Sequence, residues 1–495
     1  MSTEITFQQI LRKVLFQLSK IDKEQHTMAK KRTLFNIHLS EDQKIVRDIT
    51  DFLKNEYKQY AKYVIATRAI PSIVDGFKVG ARKIMWSALT GGAKNGKEIK
   101  NLNLVGDVYN LTLYNHGDAS LHGTIFTMSQ FFKDNLNPLS INGQCGSLRD
   151  ENAISAPRYL HVKLSKYAKL YKTDIDLTEQ VFDEGMYLEP VNFFPIIPTV
   201  LTSRAEGMAP GYKFQSFSYN PLDVIDACID AIGTVKVSRI IRPYVRGIKQ
   251  QNFVRDEESG KWFNYGEYTV DEKSDTVYIT DLPYNIGFDD FEKQLNKLVD
   301  SGYIKDWSNH SEDSAINYWI FFPKCRLGRE LQSDRYSKFI KNLCLKAVVP
   351  DDILTVLDEN QKIKVFDTPQ ELIQYFVHYR LGIYKLRKEK LVDVMNKKLI
   401  ENENICKFIK LVNEGKIVVT NRKKSEVKKD LDKYELPYTV LQIAISRLTD
   451  EERKELELKN EEIKKELEYI KKTSIDRMYL NDLMELHQEL ESDFQ

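Results

Sequence analysis

Cysteine is scarce and scattered: Cys145, Cys228, Cys325, Cys344 and Cys406 include no Cys-x-x-Cys pair, which speaks against both a disulfide framework and a thiolate zinc site. They read as reduced structural thiols. No apolar run approaches the roughly 20 residues needed to span a bilayer, and Met1-Ser2-Thr3-Glu4 lacks a signal-peptide pattern. The expectation is an intracellular protein with no membrane contact. There is no His-Glu-x-x-His, no Gly-x-Ser-x-Gly and no nucleotide-binding glycine fingerprint, and the eight histidines form no ligand cluster. Gly91-Gly92-Ala93-Lys94-Asn95-Gly96-Lys97-Glu98 fits a P-loop until its last position, where Glu98 replaces the hydroxyl residue that ligates Mg²⁺. No apolar strand precedes it, so it reads as a basic loop. Low-complexity tracts and repeats are also missing.

An overall basic excess, common in DNA binders, is missing as well: the net charge is +1. Charge is instead local. Between Ala66 and Lys100 stand seven basic residues, Arg68, Lys78, Arg82, Lys83, Lys94, Lys97 and Lys100, against Asp75 and Glu98. Such a face can neutralise phosphates and release their counterions. In the C-terminal third, glutamates from Glu451 to Glu468 interleave with lysines, the pattern of a solvated helix surface. At 495 residues, 42% hydrophobic and 29% charged, the chain is long and apolar enough for several packed domains.

The segment Ala153-Ile154-Ser155-Ala156-Pro157-Arg158-Tyr159-Leu160 sets an arginine beside a tyrosine. A free phenol has a pKa near ~10 and is a weak nucleophile at neutral pH, so cleavage of a phosphodiester by tyrosine needs a neighbouring cation. Arg158 is a candidate for that cation. Upstream lie Thr67-Arg68-Ala69-Ile70-Pro71-Ser72-Ile73-Val74-Asp75-Gly76-Phe77-Lys78-Val79-Gly80-Ala81-Arg82-Lys83-Ile84, then Tyr114-Asn115-His116-Gly117-Asp118-Ala119-Ser120, then Asn142-Gly143-Gln144-Cys145-Gly146-Ser147. Downstream are Phe194-Pro195-Ile196-Ile197-Pro198-Thr199-Val200-Leu201 and Ala205-Glu206-Gly207-Met208-Ala209-Pro210-Gly211.

This ordered series, from about Asp51 to the C-terminus, resembles the breakage-reunion part of type IIA DNA topoisomerases. It is similar to the gyrase A and ParC subunits, in the wording of the eukaryotic and T4-like phage branch, and most like the medium subunit of a T4-like phage topoisomerase II. The resemblance implies that Tyr159 is the nucleophile, leaving a 5′-phosphotyrosyl link, and that Arg158 stabilises the phosphorane. It implies that Arg68, Lys78, Arg82, Lys83 and His116 contact DNA near the cut. Tyr114 replaces the first histidine of the family's block, and Lys83 stands where bacterial subunits carry arginine. Met208 takes the place of an isoleucine wedged between base pairs, and Ala119 that of a serine which holds quinolones in bacterial gyrases.

No ATPase or TOPRIM pattern is visible, so the resemblance implies a larger partner subunit carrying both, with ATP and Mg²⁺ bound there. The partners expected are double-stranded DNA, that larger protein, and a second copy of this chain. The product chemistry expected is relaxation and decatenation rather than active supercoiling, since no DNA-wrapping β-domain follows. If the chain is phage-encoded, the setting is the host cytoplasm or nucleoid.

The fold class expected is α+β and multi-domain. Residues 1–45 read as a helical arm (Ile10, Leu11, Val14, Leu15, Leu18) and basic linker, and 46–165 as a winged-helix cleavage domain with a basic helix from Val79 to Leu89. Residues 166–365, with strand runs at Thr276–Ile279 and Tyr318–Phe322 and a helix at Phe288–Asp300, read as the tower domain. Ile373, Val377, Tyr384, Leu391, Met395, Leu399 and Cys406 recur mostly at four and seven, and Leu456, Ile463, Leu467 and Ile470 repeat the theme. Segments 366–411 and 448–495 thus read as long helical arms; by the resemblance they look like the family's antiparallel coiled coil, with 412–447 as its distal dimerisation segment, the exit gate. A simple helical hairpin is the alternative there. For function the alternatives are a non-cleaving DNA clamp and a different tyrosine enzyme such as a recombinase or relaxase.

Overall fold

The computed structural model describes residues 48–233, 237–249, 251–312, 315–332, 334–418, 422, 424–442 and 449–494. The arm expected over residues 1–45 lies outside them. The described residues fall into two compact units, one of residues 48–173, 178–224 and 238–373, the other of 174–177, 225–237 (less the undescribed residues) and 374–494.

The first unit begins at Asp48, whose carboxylate caps the opening helical turn by accepting from the Thr50 and Asp51 amides at 2.7 and 3.1 Å. The chain stays helical through Leu53–Tyr57, Lys58–Val64 and Ile65–Ala69, the first and last of these being π turns. Ile70, before Pro71, leaves the helical region at φ −103° and ψ 127°, the conformation that a following proline favours. Pro71 to Val74 then pack in the core and are stitched to β15 (Leu354–Leu357) by Ile73 N to Leu357 O and Leu357 N to Pro71 O, both 2.9 Å.

Asp75 follows, fully buried. Its carboxylate accepts Arg82 Nε at 2.7 Å and Nη2 at 3.0 Å, and the amides of Phe77 and Phe193 at 3.0 and 3.1 Å. Gly76 adopts φ +71°, and a Cβ there would lie 2.6 Å from Thr199 Oγ1, so the turn has no room for a side chain. Behind it run α1 (Val79–Thr90), β1 (Ile99–Lys100), α2 (Asn101–Thr112), α3 (Asp118–Ser129), β2 (Leu139–Asn142) and β3 (His161–Leu164). The strands form an antiparallel sheet in the order β1-β3-β2, and the helices bury Ile84, Met85, Leu104, Val108 and Ile125.

Beyond this lie two hairpins, β4 (Gln180–Asp183) with β5 (Met186–Pro190) and β6 (Ala205–Ala209) with β7 (Tyr212–Ser216), then α4 (Pro221–Gly233), whose residues from 225 onward belong to the second unit. Strands β8 (Phe253–Arg255) and β9 (Trp262–Tyr265) pair with β14 (Lys346–Val348). Strands β10 (Glu267–Asp271), β11 (Thr276–Asp281), β12 (Asp306–Asn309) and β13 (Tyr318–Phe321) make a four-stranded antiparallel sheet in the order β10-β11-β13-β12. Val277, Ile279, Tyr318 and Ile320 alternate onto one face and meet Phe291, Leu295 and Leu298 of α5 (Phe288–Asp300). The strand runs and helix expected from sequence are all present.

In the second unit α6 (Pro369–Asn413) runs antiparallel to α8 (Asp450–Lys472). Asn413 bonds Asp450 at 3.3 Å, Glu403 pairs with Lys464 at 2.9 Å, and Lys388 Nζ donates to the carbonyls of Lys471 and Thr473 at 3.0 and 2.7 Å. All the periodic apolar residues predicted for both arms are buried or half-buried. Gly415, at φ +71°, lets the chain turn at the end of α6, and α7 (Lys424–Lys433) closes a small distal core of Phe408, Leu411, Leu431, Leu436 and Val440. The helix α9 (Ile475–Phe494) follows α8. Asp174 joins this unit by ion pairs to Arg380 and Arg387.

Replacing Asp75 by alanine strands the Arg82 guanidinium inside the protein. The expected loss is about 3–5 kcal/mol in urea unfolding, as for other broken buried pairs, and Asp75→Asn, which keeps the shape but not the charge, should fall short of wild type too.

Candidate functional site

Residues 143–160 join β2 to β3 and carry Tyr159. Gly143 and Gly146 hold φ +115° and +75°, and a Cβ on them would lie 2.7 Å from Leu160 and 2.6 Å from the Glu151 carbonyl. Between these turns the segment folds back on itself through Ser155 N to Gln144 O and Gly146 N to Ala153 O, both 3.0 Å. Gln130, buried at the end of α3, holds both sides by donating to the Cys145 and Glu151 carbonyls at 2.9 and 3.3 Å. Arg149 fastens the tip, donating to the carbonyls of Leu282, Pro283 and Ile286 at 2.8, 2.7 and 3.1 Å and to Asp281 Oδ1 at 2.8 Å.

The segment ends in a 3₁₀ turn, Pro157–Tyr159, on the buried anchor Leu160. The Tyr159 ring is 68% exposed, although tyrosines with this much apolar surface are usually half covered. The Arg158 guanidinium is exposed beside it, 5.4 Å from the ring centroid. Thus an open phenol and a cation sit on a loop locked everywhere behind them. Burial pushes the Cys145 thiol of the same loop up to about 11, so it stays protonated at neutral pH.

A cleft of about 1450 Å³ is lined by Arg68, Lys78, Lys83 and His116, four of the residues expected to hold DNA. Arg68 is exposed and its Nη2 stands 3.5 Å from both ring nitrogens of His116, while Tyr63 Oη lies 3.2 Å from Nε2. Tyr114 meets the same imidazole edge-on at 5.4 Å, and Tyr109 Oη donates to the His116 carbonyl at 2.6 Å. Aromatic packing therefore orients His116, and Tyr114 serves as a wall. Lys78 Nζ donates to the Glu206 carbonyl at 2.9 Å, and burial lowers its pKa from the usual lysine range. Lys133 and Arg204 add two more cations, both paired with Glu151. Burial pushes the carboxyl of Asp134, on the same wall, up to about 7.

Two of the expected phosphate ligands are placed otherwise. Arg82 does not line the cleft; its side chain is 7% exposed and committed to Asp75. Lys83 touches the cleft but is held by Glu189 Oε1 at 2.7 Å and by the Thr112 carbonyl at 2.7 Å, where it caps the C-terminus of α2. The helix α1 thus turns its basic pair inward. Tyr159 and Arg158 are not among the residues lining the cleft either.

Met208 projects from the β6–β7 hairpin with 74% of its surface exposed, which is incompatible with core packing. The flanking glycines have different causes. Gly211 sits at φ +82° in the hairpin turn, whereas Gly207 is glycine because a Cβ would fall 1.9 Å from the Ala69 carbonyl. The hairpin is thereby pressed against the end of the helix that carries Arg68. The loop of residues 91–98 does not hold a phosphate cradle: the Asp107 carboxylate already takes the Gly92 amide at 2.8 Å.

The family model for the A chain of DNA gyrase/topoisomerase IV matches residues 68–488. The protein belongs to this family. It is 31% identical over 373 residues to DNA topoisomerase 2 of Arabidopsis thaliana (74% of this chain, 25% of the relative) and 28% identical over 503 residues to DNA topoisomerase 2 of Acanthamoeba polyphaga mimivirus (84% and 39%). The crystal structure of the Plasmodium falciparum topoisomerase II DNA-binding, cleavage and re-ligation domain superimposes with a TM-score of 0.76 at 25% identity, over 90% of this chain and 65% of that one. The chain therefore spans about a quarter to two-fifths of these curated relatives, and its mixed helix and strand architecture is that of the type IIA breakage-reunion domain.

Within this family member, sequence reasoning missed Lys133, Arg204, Glu151 and Tyr63. Arg204 lies directly before the motif block of residues 205–211, and that adjacency was its one signal. Lys133 and Glu151 carry none, because only folding brings them together.

The two kinds of basic residue separate by stability. Lys83→Ala leaves Glu189 buried and the Thr112 carbonyl unmet, and should cost about 3 kcal/mol in chemical denaturation. Arg68→Ala, at the surface, should stay within about 0.5 kcal/mol of wild type.

Proposed function

We propose that this chain is the DNA breakage-reunion subunit of an ATP-dependent type IIA topoisomerase. It acts with a partner carrying the ATPase and TOPRIM modules and with a second copy of itself to relax and decatenate DNA, in the host cytoplasm or nucleoid for a phage-encoded chain. The observation that carries this reading is the exposed Tyr159 phenol beside Arg158 on a loop immobilised by glycine turns, Gln130 and Arg149. In the proposed step the phenol oxygen bonds to a DNA phosphorus, the bond from phosphorus to O3′ breaks, and the phenol's proton ends on the 3′-hydroxyl. One phosphodiester replaces another, so resealing is the same step reversed and consumes no ATP. Arg158 offsets the charge that grows on the non-bridging oxygens in between.

The helices α1 to α3 with the sheet β1-β3-β2 support a winged-helix reading of residues 46–165, with Tyr159 on the wing. Residues 166–365 correspond to the tower, and the antiparallel pair α6 and α8 to a coiled coil ending in an exit gate at 412–447. Arg68, Lys78 and His116 are proposed to hold the backbone near the cut, with Met208 as the apolar wedge between base pairs; its exposure at the end of a stiff hairpin suits that role. Lys83 and Arg82 act by shaping the cleft floor. Among the described residues no group of three or more His, Cys, Asp or Glu side chains is arranged to hold a metal ion. Mg²⁺ and ATP are proposed to be held by the partner subunit.

The deciding measurement is cleavage trapped with denaturant, with the ATPase/TOPRIM partner and Mg²⁺ present. Wild type should yield a covalent 5′-linked adduct, Tyr159→Phe none, and Arg158→Lys a reduced yield because a point charge replaces a planar fork. DNA binding without any adduct would favour the clamp reading instead. In the same system Arg68→Ala should flatten the dependence of log K on log salt by about 0.9, the share of one phosphate contact.

A further inference from the structure

A second polar cleft, of about 480 Å³, adjoins the Tyr159 loop through Gly143, Gln144, Cys145 and Gly146. Lys163, Lys166 and Arg246 line it, and no carboxylate is among its lining residues. Arg246 is held firmly: Nη1 donates to Asn135 O at 3.2 Å and Asn137 Oδ1 at 3.1 Å, and the guanidinium stands 5.6 Å from the ring centroids of both Phe131 and Tyr167. Asp134 is an acidic group within its electrostatic reach.

The outer face of the three-stranded sheet leads into this cleft. Along β3, Val162 and Leu164 point into the core while His161 and Lys163 point out. The register sets Lys100 and Asn142 on either side of His161, and Ser140 beside Lys163, so all five share the outer face. Lys100 and Lys163 are exposed, and neither makes an ion pair within 4.0 Å among the described residues. The acidic group at this edge is Glu98, which accepts from Asn142 at 3.3 Å. Side chains two apart on a strand are spaced about 6.6 Å along it, and cross-strand neighbours about 5 Å. Lys100, beside the strand that follows Tyr159, and Lys163, on that strand, therefore form a line of cations that leads to Lys166 and Arg246 in the cleft.

We propose that this line is a second phosphate track, separate from the cleft of Arg68 and His116, which holds the sugar-phosphate backbone of the duplex flanking the cut. A line of exposed lysines leading into a cleft whose lining has no carboxylate, with Glu98 turned to Asn142 at its edge, fits a linear polyanion, and its continuity with the loop that carries Tyr159 selects DNA over an acidic protein segment. The inference rests on the reading of the chain as a DNA-cleaving subunit. The lysines act by positioning, since neither lies on the Pro157–Tyr159 turn.

The test is equilibrium binding of a 40-base-pair duplex to the full chain by fluorescence anisotropy across a salt series, with polyglutamate as a second probe. Lys100→Gln/Lys163→Gln should lower the slope of log K against log salt by about 1.8, two contacts at about 0.9 each. Both side chains are exposed, so the thermal unfolding midpoint should not move, and Lys459→Gln on α8 should keep the wild-type slope. An unchanged slope in the double variant overturns the track while leaving the cleavage reading intact. An unchanged slope together with lost polyglutamate binding overturns it in favour of an acidic protein partner. Failure of the wild-type chain to bind the duplex at all would instead remove the cleavage reading on which the track depends.

Discussion

The Asp75–Arg82 pair is the constraint on which the rest of the site depends. One carboxylate, closed off from water, receives two guanidinium donors and two backbone amides from opposite directions. Such a group is costly to bury unless each lone pair is met, and here the four donors come from the turn after Asp75, the first helix and the segment at Phe193. The arrangement thus ties three separate stretches of chain at a single point. Gly76 lets the backbone pass Thr199 at that point, Lys83 on the next position of the same helix reaches Glu189 and the end of α2, and the cleft takes its shape from these ties. Part of the charge that reads as a phosphate-binding face, Arg82 and Lys83, is the internal fastening of the cleft, while Arg68, Lys94, Lys97 and Lys100 stay exposed.

Much of the architecture was legible because it is periodic. The apolar stripe of α6 and α8 repeats at helical spacing, and the alternation in β11 and β13 marks which face meets α5. The four motif blocks located the Tyr159 loop and the cleft because their glycines and prolines record backbone constraints that no other residue meets. What sequence did not disclose is the direction in which a charged side chain points. Arg68 and Arg82 each stand seven residues from Asp75, one before it and one after, and are equivalent as letters; the fold turns only Arg82 onto that carboxylate and leaves Arg68 exposed. Lys133, Glu151 and Arg204 were invisible for the complementary reason, since their mutual pairing joins segments far apart in the chain.

Two surfaces of opposite character result. The cleft combines one exposed cation, Arg68, with groups held fast by neighbours, so its shape is preset and its charge is modest. The loop of Tyr159 is the reverse: its support is rigid while its two chemical groups are left open to solvent. The nucleophilic role proposed for Tyr159 gains from orientation that is complete before substrate arrives, because little ordering entropy is then lost at the reaction.

The four donor bonds of Arg149 carry one more implication. They join the loop of Tyr159 to the end of the interior strand β11 at Asp281 and the turn up to Ile286 that follows it, so the phenol and that end of the sheet travel as one body. In any pair of copies, the distance between the two phenols is then governed by how the copies meet and not by slack in the loop. On the proposed cleavage reading, the offset between two cuts on opposite strands becomes a property of quaternary geometry: insertions in the loop would loosen the chemistry, but only a change at the contact between copies could alter the length of the overhang.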